Sequence, residues 1–128
     1  MVLLDTCAVL WLASDPSRFS PAARESIRSN AGSLHVSAIS CFEIALKHRR
    51  GALTLPLRPE EWLADVFELH GLNEAPVSGR IAARSALLAP LHNDPADRII
   101  EATAEELGAP VITPDPLIRA YPRITVIW

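Results

Sequence analysis

Residues 1–6 are MVLLDT, a short apolar run that stops at Asp5. Consecutive apolar residues are typical of a strand that is buried on both faces, as the strands of parallel sheets are. The mostly apolar residues 6–13 then predict a helix. A strand that passes directly into a helix is the first unit of an α/β fold.

The rest of the chain repeats this alternation. Short apolar stretches predict strands at 34–36, weakly at 75–77, and at 111–113 and 124–127. Apolar periodicity with Ser, Pro and Gly boundary signals predicts helices at 21–30, 39–50, 59–71, 78–88 and 95–107. The pattern therefore predicts an α/β fold, a three-layer α/β/α sandwich with a central parallel sheet, formed by a single domain over residues 1–128.

Composition favours a globular protein. The chain has 128 residues, 49% of them hydrophobic and 21% charged, which is enough apolar material for a core. No apolar run is long enough for a membrane span, and the N-terminus lacks the basic start of a signal peptide, so we expect a soluble, cytoplasmic protein. The two cysteines, Cys7 and Cys41, have apolar neighbours and are predicted to be small core residues rather than disulfide partners or zinc ligands.

The charge balance does not by itself indicate a nucleic-acid-binding protein. The net charge is −3, although neutralising four acids with metal would make it positive. The basic residues are densest at Lys47-His48-Arg49-Arg50, and arginine is suited to bidentate phosphate contacts. Ordinary solvated surface charge explains any single arginine equally well.

Acidic residues stand where an α/β sheet gathers its sites. Asp5 ends the first strand, and Asp115 comes two residues after the strand that ends at 113. Asp97 lies in the first turn of a helix, and Glu43 lies inside another. Because the carboxyl ends of parallel strands meet at one edge, these acids are predicted to converge there.

Clustered carboxylates suit a hard divalent cation. Mg²⁺ and Mn²⁺ prefer oxygen ligands, and the cation removes the repulsion between the acids. A bound divalent ion lowers the pKa of its water and stabilises charge that develops on a phosphodiester. Four acids therefore predict metal-assisted phosphodiester hydrolysis without a protein nucleophile.

Three of these positions also have a purely structural interpretation. Asp5 and Asp115 each precede a predicted helix start, so either carboxylate can be an N-cap. Asp94 and Asp97 can form a pair similar to a capping box around Pro95. Capping and catalysis stay open for these residues.

Glu43 is the most informative acid because no cap explains it. It shares a helix face with the apolar Ile39 and Leu46, where a carboxylate needs a partner. The alternative is a surface ion pair with Lys47, four residues later.

Four stretches contain these acids, in the order Leu3-Leu4-Asp5-Thr6, Val36-Ser37-Ala38-Ile39-Ser40-Cys41-Phe42-Glu43-Ile44-Ala45, His92-Asn93-Asp94-Pro95-Ala96-Asp97-Arg98 and Val111-Ile112-Thr113-Pro114-Asp115. In order and spacing they resemble the motifs of PIN-domain proteins, and the resemblance spans nearly the whole chain. Within that family the chain most resembles the VapC-type toxins of bacterial and archaeal toxin–antitoxin pairs.

The resemblance implies an endoribonuclease toxin that hydrolyses RNA with metal-activated water, using Mg²⁺ (or Mn²⁺). It also implies a homodimer that a cognate small antitoxin protein inhibits. By motif position, the catalytic and metal-binding acids are Asp5, Glu43, Asp97 and Asp115. The supporting residues are Thr6, Thr113, Asp94 as a cap that positions Asp97, and Arg98, which either pairs with an acid or contacts phosphate.

Other classes fit the sequence less well. A phosphoacceptor domain needs a late lysine near its acids, and the only lysine is Lys47. A phosphatase with an aspartate nucleophile needs a second acid two residues later, where Cys7 follows Asp5 instead. The remaining alternative is a non-catalytic PIN-like scaffold that binds RNA or a protein partner.

Overall fold

The computed structural model describes residues 1–89 and 93–128, and its centre is a parallel sheet. His92, the first residue of the third motif, lies outside the described residues. The strand order is β3-β2-β1-β4-β5, so β1 occupies the middle. The strands are β1 (Val2–Leu4), β2 (Leu34–Ser37), β3 (Asn73–Ala75), β4 (Val111–Ile112) and β5 (Val126–Ile127).

Helices connect the strands and cover the sheet, as the alternating pattern predicts. A short 3₁₀ turn at Pro16–Arg18 was not among the predicted elements, and the last helix, whose start after Asp115 was predicted without an extent, has only four residues. The helices are α1 (Thr6–Ser14), α2 (Pro21–Ser29), α3 (Ala38–Arg49), α4 (Pro59–His70), α5 (Gly79–Leu87), α6 (Pro95–Leu107) and α7 (Pro116–Arg119).

The prediction for β3 was wrong by two residues. The strand ends at Ala75 instead of continuing to Val77, because its pairing with β2 runs from His35–Asn73 to Ser37–Ala75. Pro76 follows and has no N–H to continue the ladder. A weak apolar signal at an edge strand is less informative than the register that its neighbour imposes.

Both faces of the central strand are buried, which explains its continuous apolar run. Val2 and Leu4 face one apolar cluster, which includes Val9 of α1 and Ile44 of α3. Leu3 faces the opposite cluster with residues of α6. This alternation places helices on both sides of the sheet and confirms the predicted three-layer α/β/α architecture.

The prediction that both cysteines belong to the core was wrong. Cys7 is exposed and Cys41 is half-buried, and both are free thiols. Helix α1 buries Thr6, Ala8 and Val9, so the position between them points towards solvent. Apolar neighbours in sequence did not reveal which helix face each thiol occupies.

Candidate active site at the carboxyl ends of the strands

Asp5 lies at the end of the central strand and is 3% exposed. One carboxylate oxygen accepts a hydrogen bond from the Ala8 N–H (2.8 Å), so the predicted N-cap of α1 is confirmed. The other oxygen accepts a hydrogen bond from the Thr113 hydroxyl (2.5 Å). The cap does not exclude a further role, because the carboxylate is also tied to the neighbouring strand.

Thr113 connects two of the predicted acids. Its hydroxyl donates to Asp5 and accepts a hydrogen bond from the Asp115 backbone N–H (3.0 Å). The Asp115 carboxylate accepts from the Leu117 N–H and caps α7, so this capping prediction is also confirmed. The turn after β4 thereby holds Asp115 beside the end of β1.

Glu43 reaches the same region from α3. Its carboxylate accepts a hydrogen bond from the Thr6 hydroxyl (2.5 Å), which also lies 3.0 Å from the Ser40 hydroxyl. The alternative interpretation was a surface ion pair between Glu43 and Lys47. Among the ion pairs of the described residues, none joins these two side chains. The partner that Glu43 needed on an apolar face is therefore Thr6, directly after Asp5.

The start of α6 supplies the third motif. The Asp94 carboxylate accepts from the Ala96 N–H (3.0 Å), which confirms Asp94 as the N-cap. Asp97 is half-buried in the first turn, where the helix dipole favours an acid. Asp94 is therefore the cap, and Asp97 lies within the first turn of the helix that this cap starts.

The Arg98 guanidinium is hydrogen-bonded within the protein. Its guanidinium donates to backbone carbonyls in and beyond the last turn of α5, which include Leu88 O (2.8 Å) and Ser85 O (3.1 Å). These bonds satisfy carbonyl groups that a helix end leaves without partners. The geometry disfavours the predicted phosphate contact for Arg98.

The electrostatic couplings show that these acids are neighbours. Burial raises the pKa of Asp5 to about 6, the Thr113 and Ala8 hydrogen bonds oppose the shift, and the charges of Asp115 and Glu43 add to it. Although Cys7 is exposed as a residue, partial desolvation of its thiol raises the pKa; the carboxylates of Asp5, Asp97 and Glu43 add to the shift, and the charge of Lys47 opposes it. The acids from all four motifs thus share one neighbourhood.

In this structure the carboxylates of the predicted acids do not converge on one point. Among the described residues, no three Asp, Glu, His or Cys side chains are close enough together to hold a metal ion in their present rotamers. The donors that face this neighbourhood are carboxylate and hydroxyl oxygens, which are hard ligands. Holding a cation therefore requires the acids to turn towards one another.

Sequence analysis did not identify Glu101, a buried carboxyl group that borders these acids. Glu101 is 1% exposed in the middle of α6, and no donor meets hydrogen-bond geometry at either carboxylate oxygen; the Tyr121 hydroxyl, which donates to Ala89 O, is still close enough to lower its pKa. Burial raises its pKa to about 8; the Tyr121 hydroxyl and Arg98 oppose the shift, and Asp97 and Asp115 add to it. Its position one helical turn after Asp97 was the available sequence signal.

A parallel five-stranded sheet with acids from four motifs at its carboxyl edge defines the class of PIN-like α/β/α proteins. The PIN domain family model matches residues 2–124. The chain is 35% identical to Ribonuclease VapC22 of Mycobacterium tuberculosis (strain ATCC 25618 / H37Rv) over 130 residues, which cover 99% of this chain and 98% of the relative. The chain therefore belongs to the PIN-domain family, in the VapC group.

Solved structures show the same fold at low sequence identity. DNA-bound VapBC from Salmonella typhimurium matches with a TM-score of 0.70 and 19% identity, covering 98% of this chain and 97% of that one. VapBC2 from Rickettsia felis bound to a promoter DNA fragment matches with a TM-score of 0.71 and 16% identity over the same shares. At these identities the likeness supports the fold alone.

The helices of the described residues do not meet the dimensions of a membrane span. None of those within residues 1–89 and 93–128 combines the length and apolar character that crossing a bilayer requires.

Proposed function

We propose that this chain is a metal-dependent endoribonuclease and the toxin of a toxin–antitoxin pair. The observation that carries the proposal is the connected set of hydrogen bonds from Thr113 to Asp5 and from Thr6 to Glu43, which brings acids of separate motifs to one end of the sheet. The near-full-length likeness to a protein named as a ribonuclease supports RNA as the substrate.

We propose Asp5, Glu43, Asp97 and Asp115 as the residues that hold Mg²⁺ or Mn²⁺. The donor set fits such an ion in kind, because it consists of oxygen ligands. The positive charge of the ion also fits this site. Asp5 is buried, and the negative charges of Asp115 and Glu43 raise its pKa further, so a cation would offset the repulsion between these acids. When bound, the ion supplies an activated water and stabilises negative charge on the phosphodiester.

The remaining residues of the site orient these carboxylates. The Thr113 hydroxyl fixes one oxygen of Asp5 and, through the Asp115 N–H, sets the turn that carries Asp115. The Thr6 hydroxyl fixes Glu43 in the same way. Asp94 starts α6 and thereby positions Asp97. Such supporting contacts are typically worth ten- to about a hundredfold in metal affinity or activity.

The test is cleavage of a mixed RNA pool by the purified chain with Mg²⁺, with Mn²⁺ and with EDTA. We expect cleavage with either metal and none with EDTA. Glu43→Gln, Asp97→Asn and Asp115→Asn should each abolish it while the circular dichroism spectrum is unchanged. Asp65→Asn, which alters an exposed acid of α4, is the matched control and should cleave normally. Cleavage by all three site variants at the parent rate would refute the assignment and favour a non-catalytic scaffold.

We also propose that a small antitoxin protein inhibits the chain and that the chain acts as a homodimer. The solved structures that share this fold include one described as a toxin–antitoxin complex from Klebsiella pneumoniae, which supports an antitoxin partner. Exposed apolar side chains such as Leu69 and Leu87, each 79% exposed, are compatible with subunit contacts. Expression should arrest growth, and Glu43→Gln should relieve the arrest; unchanged toxicity would indicate that binding, and not cleavage, causes it.

A further inference from the structure

Most basic side chains of the described chain have a partner within it. Five arginines form ion pairs with glutamates, and three others contact carbonyl groups or an aromatic ring. Within residues 1–89 and 93–128, no such contact is made by Lys47, Arg49, Arg50 or Arg119. Three of these four cations are therefore concentrated at the carboxyl end of α3.

Two of the three line a groove that begins at the acidic site. The groove has a volume of about 420 Å³ and lies between α3 and the start of α6. Glu43 connects it to Thr6 and Asp5. The groove residues on or just after α3 are Ile39, Phe42, Glu43, Leu46, Lys47 and Arg50, and those from the start of α6 are Asp94, Pro95 and Ala96.

The α3 residues form one continuous helix face. They recur at intervals of three and four residues, which is the spacing of neighbours on a helix surface. Phe42 is 60% exposed on this face, although a large aromatic side chain gains most from burial. An exposed aromatic ring beside unpaired cations is the combination that binds single-stranded nucleic acid, because bases stack on the ring and phosphates meet the cations.

We propose that this groove binds single-stranded RNA next to the acids, with a base against Phe42 and backbone phosphates at Lys47 and Arg50. The proposal rests on the proposed function and specifies how its substrate is held. It explains why these cations lack protein partners in a chain whose net charge is −3.

The acids of the groove do not neutralise the two cations. The Glu43 carboxylate accepts the Thr6 hydroxyl, and the Asp94 carboxylate accepts the Ala96 N–H. Glu43 forms no ion pair with Lys47 or Arg50 among the described residues. A protein segment would fill the apolar part of the groove, but the unpaired cations favour a polyanion over an apolar helix.

The first experiment measures binding without cleavage. Fluorescence anisotropy of a labelled twelve-nucleotide oligouridine RNA is followed in EDTA as a function of salt. We expect Phe42→Ala to weaken binding about tenfold, because one base no longer stacks on the ring. Lys47→Ala with Arg50→Ala should lower the slope of log affinity against log salt by about 0.7 for each phosphate that these side chains no longer neutralise.

Arg49→Ala is the matched control, because it removes an exposed cation from the same helix outside the groove lining. It should change affinity less than either groove cation and leave the Phe42 effect intact. All substituted side chains are at least half-exposed or at the helix end, and melting curves check that each variant folds.

The outcomes separate this inference from the proposed function. RNA binding that depends on the groove, without any cleavage, would support the groove and refute the nuclease. Metal-dependent cleavage and RNA affinity that are both insensitive to the Phe42, Lys47 and Arg50 changes would overturn the groove and leave the nuclease. Unchanged RNA affinity of the Phe42, Lys47 and Arg50 variants, together with their escape from inhibition by the proposed antitoxin, would assign the groove to a protein partner and also overturn the proposal.

Discussion

Two buried carboxyl groups of this fold both feel the charge of Asp115, but their surroundings differ. Asp5, at the end of β1, accepts hydrogen bonds from a backbone N–H and from the Thr113 hydroxyl. Glu101, in the middle of α6, has no donor in hydrogen-bond geometry at either oxygen, and the nearby Tyr121 hydroxyl offsets only part of the effect of burial. Burial raises the pKa of both, to about 6 for Asp5 and to about 8 for Glu101.

The difference shows how a protein keeps a buried acid charged. Donors aimed at the carboxylate stabilise the ionised form and offset part of the desolvation. At pH 7 Asp5 is therefore mostly ionised, as its proposed role as a metal ligand requires, whereas Glu101 mostly retains its proton. Proximity to the site does not by itself give an acid the charge that the chemistry needs.

The largest expected effect is on RNA cleavage and tests the difference between Asp5 and Glu101. Asp5→Asn should lower metal-dependent RNA cleavage at pH 7 by at least about a hundredfold, more than removing a supporting residue usually does. Glu101→Gln should leave the rate almost unchanged, because the amide resembles the protonated acid. Initial rates on one RNA substrate, at saturating Mn²⁺, measure both. An equal decrease in the two variants would show that Glu101 acts as a charged group.

The second effect concerns stability and pH. The pKa of Glu101 rises from its ordinary 4.5 to about 8 on folding, so the folded chain retains a proton that the unfolded chain releases. The stability from this proton is complete below about pH 4.5 and is lost as the pH rises towards 8. Glu101→Gln removes this dependence, so its advantage over the parent should grow by about 2–4 kcal/mol between pH 5 and 8.

Thermal melting at the two pH values tests the second prediction. Glu68→Gln changes an exposed glutamate of α4 and is the matched control. Its melting temperature should follow that of the parent at both pH values. A Glu101→Gln advantage that is the same at pH 5 and pH 8 would contradict a proton held by the buried acid.

The smallest effect sharpens the other half of the comparison. Thr113→Val removes the hydroxyl that lowers the pKa of Asp5, so the acidic limb of the cleavage profile should move to higher pH. Removing its hydrogen bonds should also destabilise the fold by about 1–3 kcal/mol. Thr103→Val removes an equally buried hydroxyl that donates within α6, to Ile99 O, and should cause no pH shift. The same pH shift in both variants would show that the Thr113 hydroxyl does not specifically lower the pKa of Asp5.

The sequence was informative where local chemistry decides the structure. Asp5, Asp94 and Asp115 were recognised as possible caps because a carboxylate before a helix start binds free N–H groups, and each does so. The continuous apolar run of β1 predicted a strand that is buried on both faces, because consecutive residues of a strand point to opposite faces. The order of the four motifs predicted which acids the topology gathers.

The sequence was uninformative where distant segments decide. Glu101 has Ile100 and Ala102 beside it, and its burial depends on Tyr121 and the end of α5, which lie far away along the chain. The exposure of Cys7 depends on which face of α1 the sheet covers. The position of β3 depends on its register with β2. No local pattern contains this information.

The double attachment of Asp5 affects how the gene can lose its toxicity. Asn at this position can still accept the Ala8 N–H, whereas Ala cannot, although both remove the charge. Among survivors of a growth selection, cells with Asp5→Asn should therefore accumulate an inert but intact protein. Cells with Asp5→Ala should contain less of it, because quality control degrades a chain that has lost the start of its first helix.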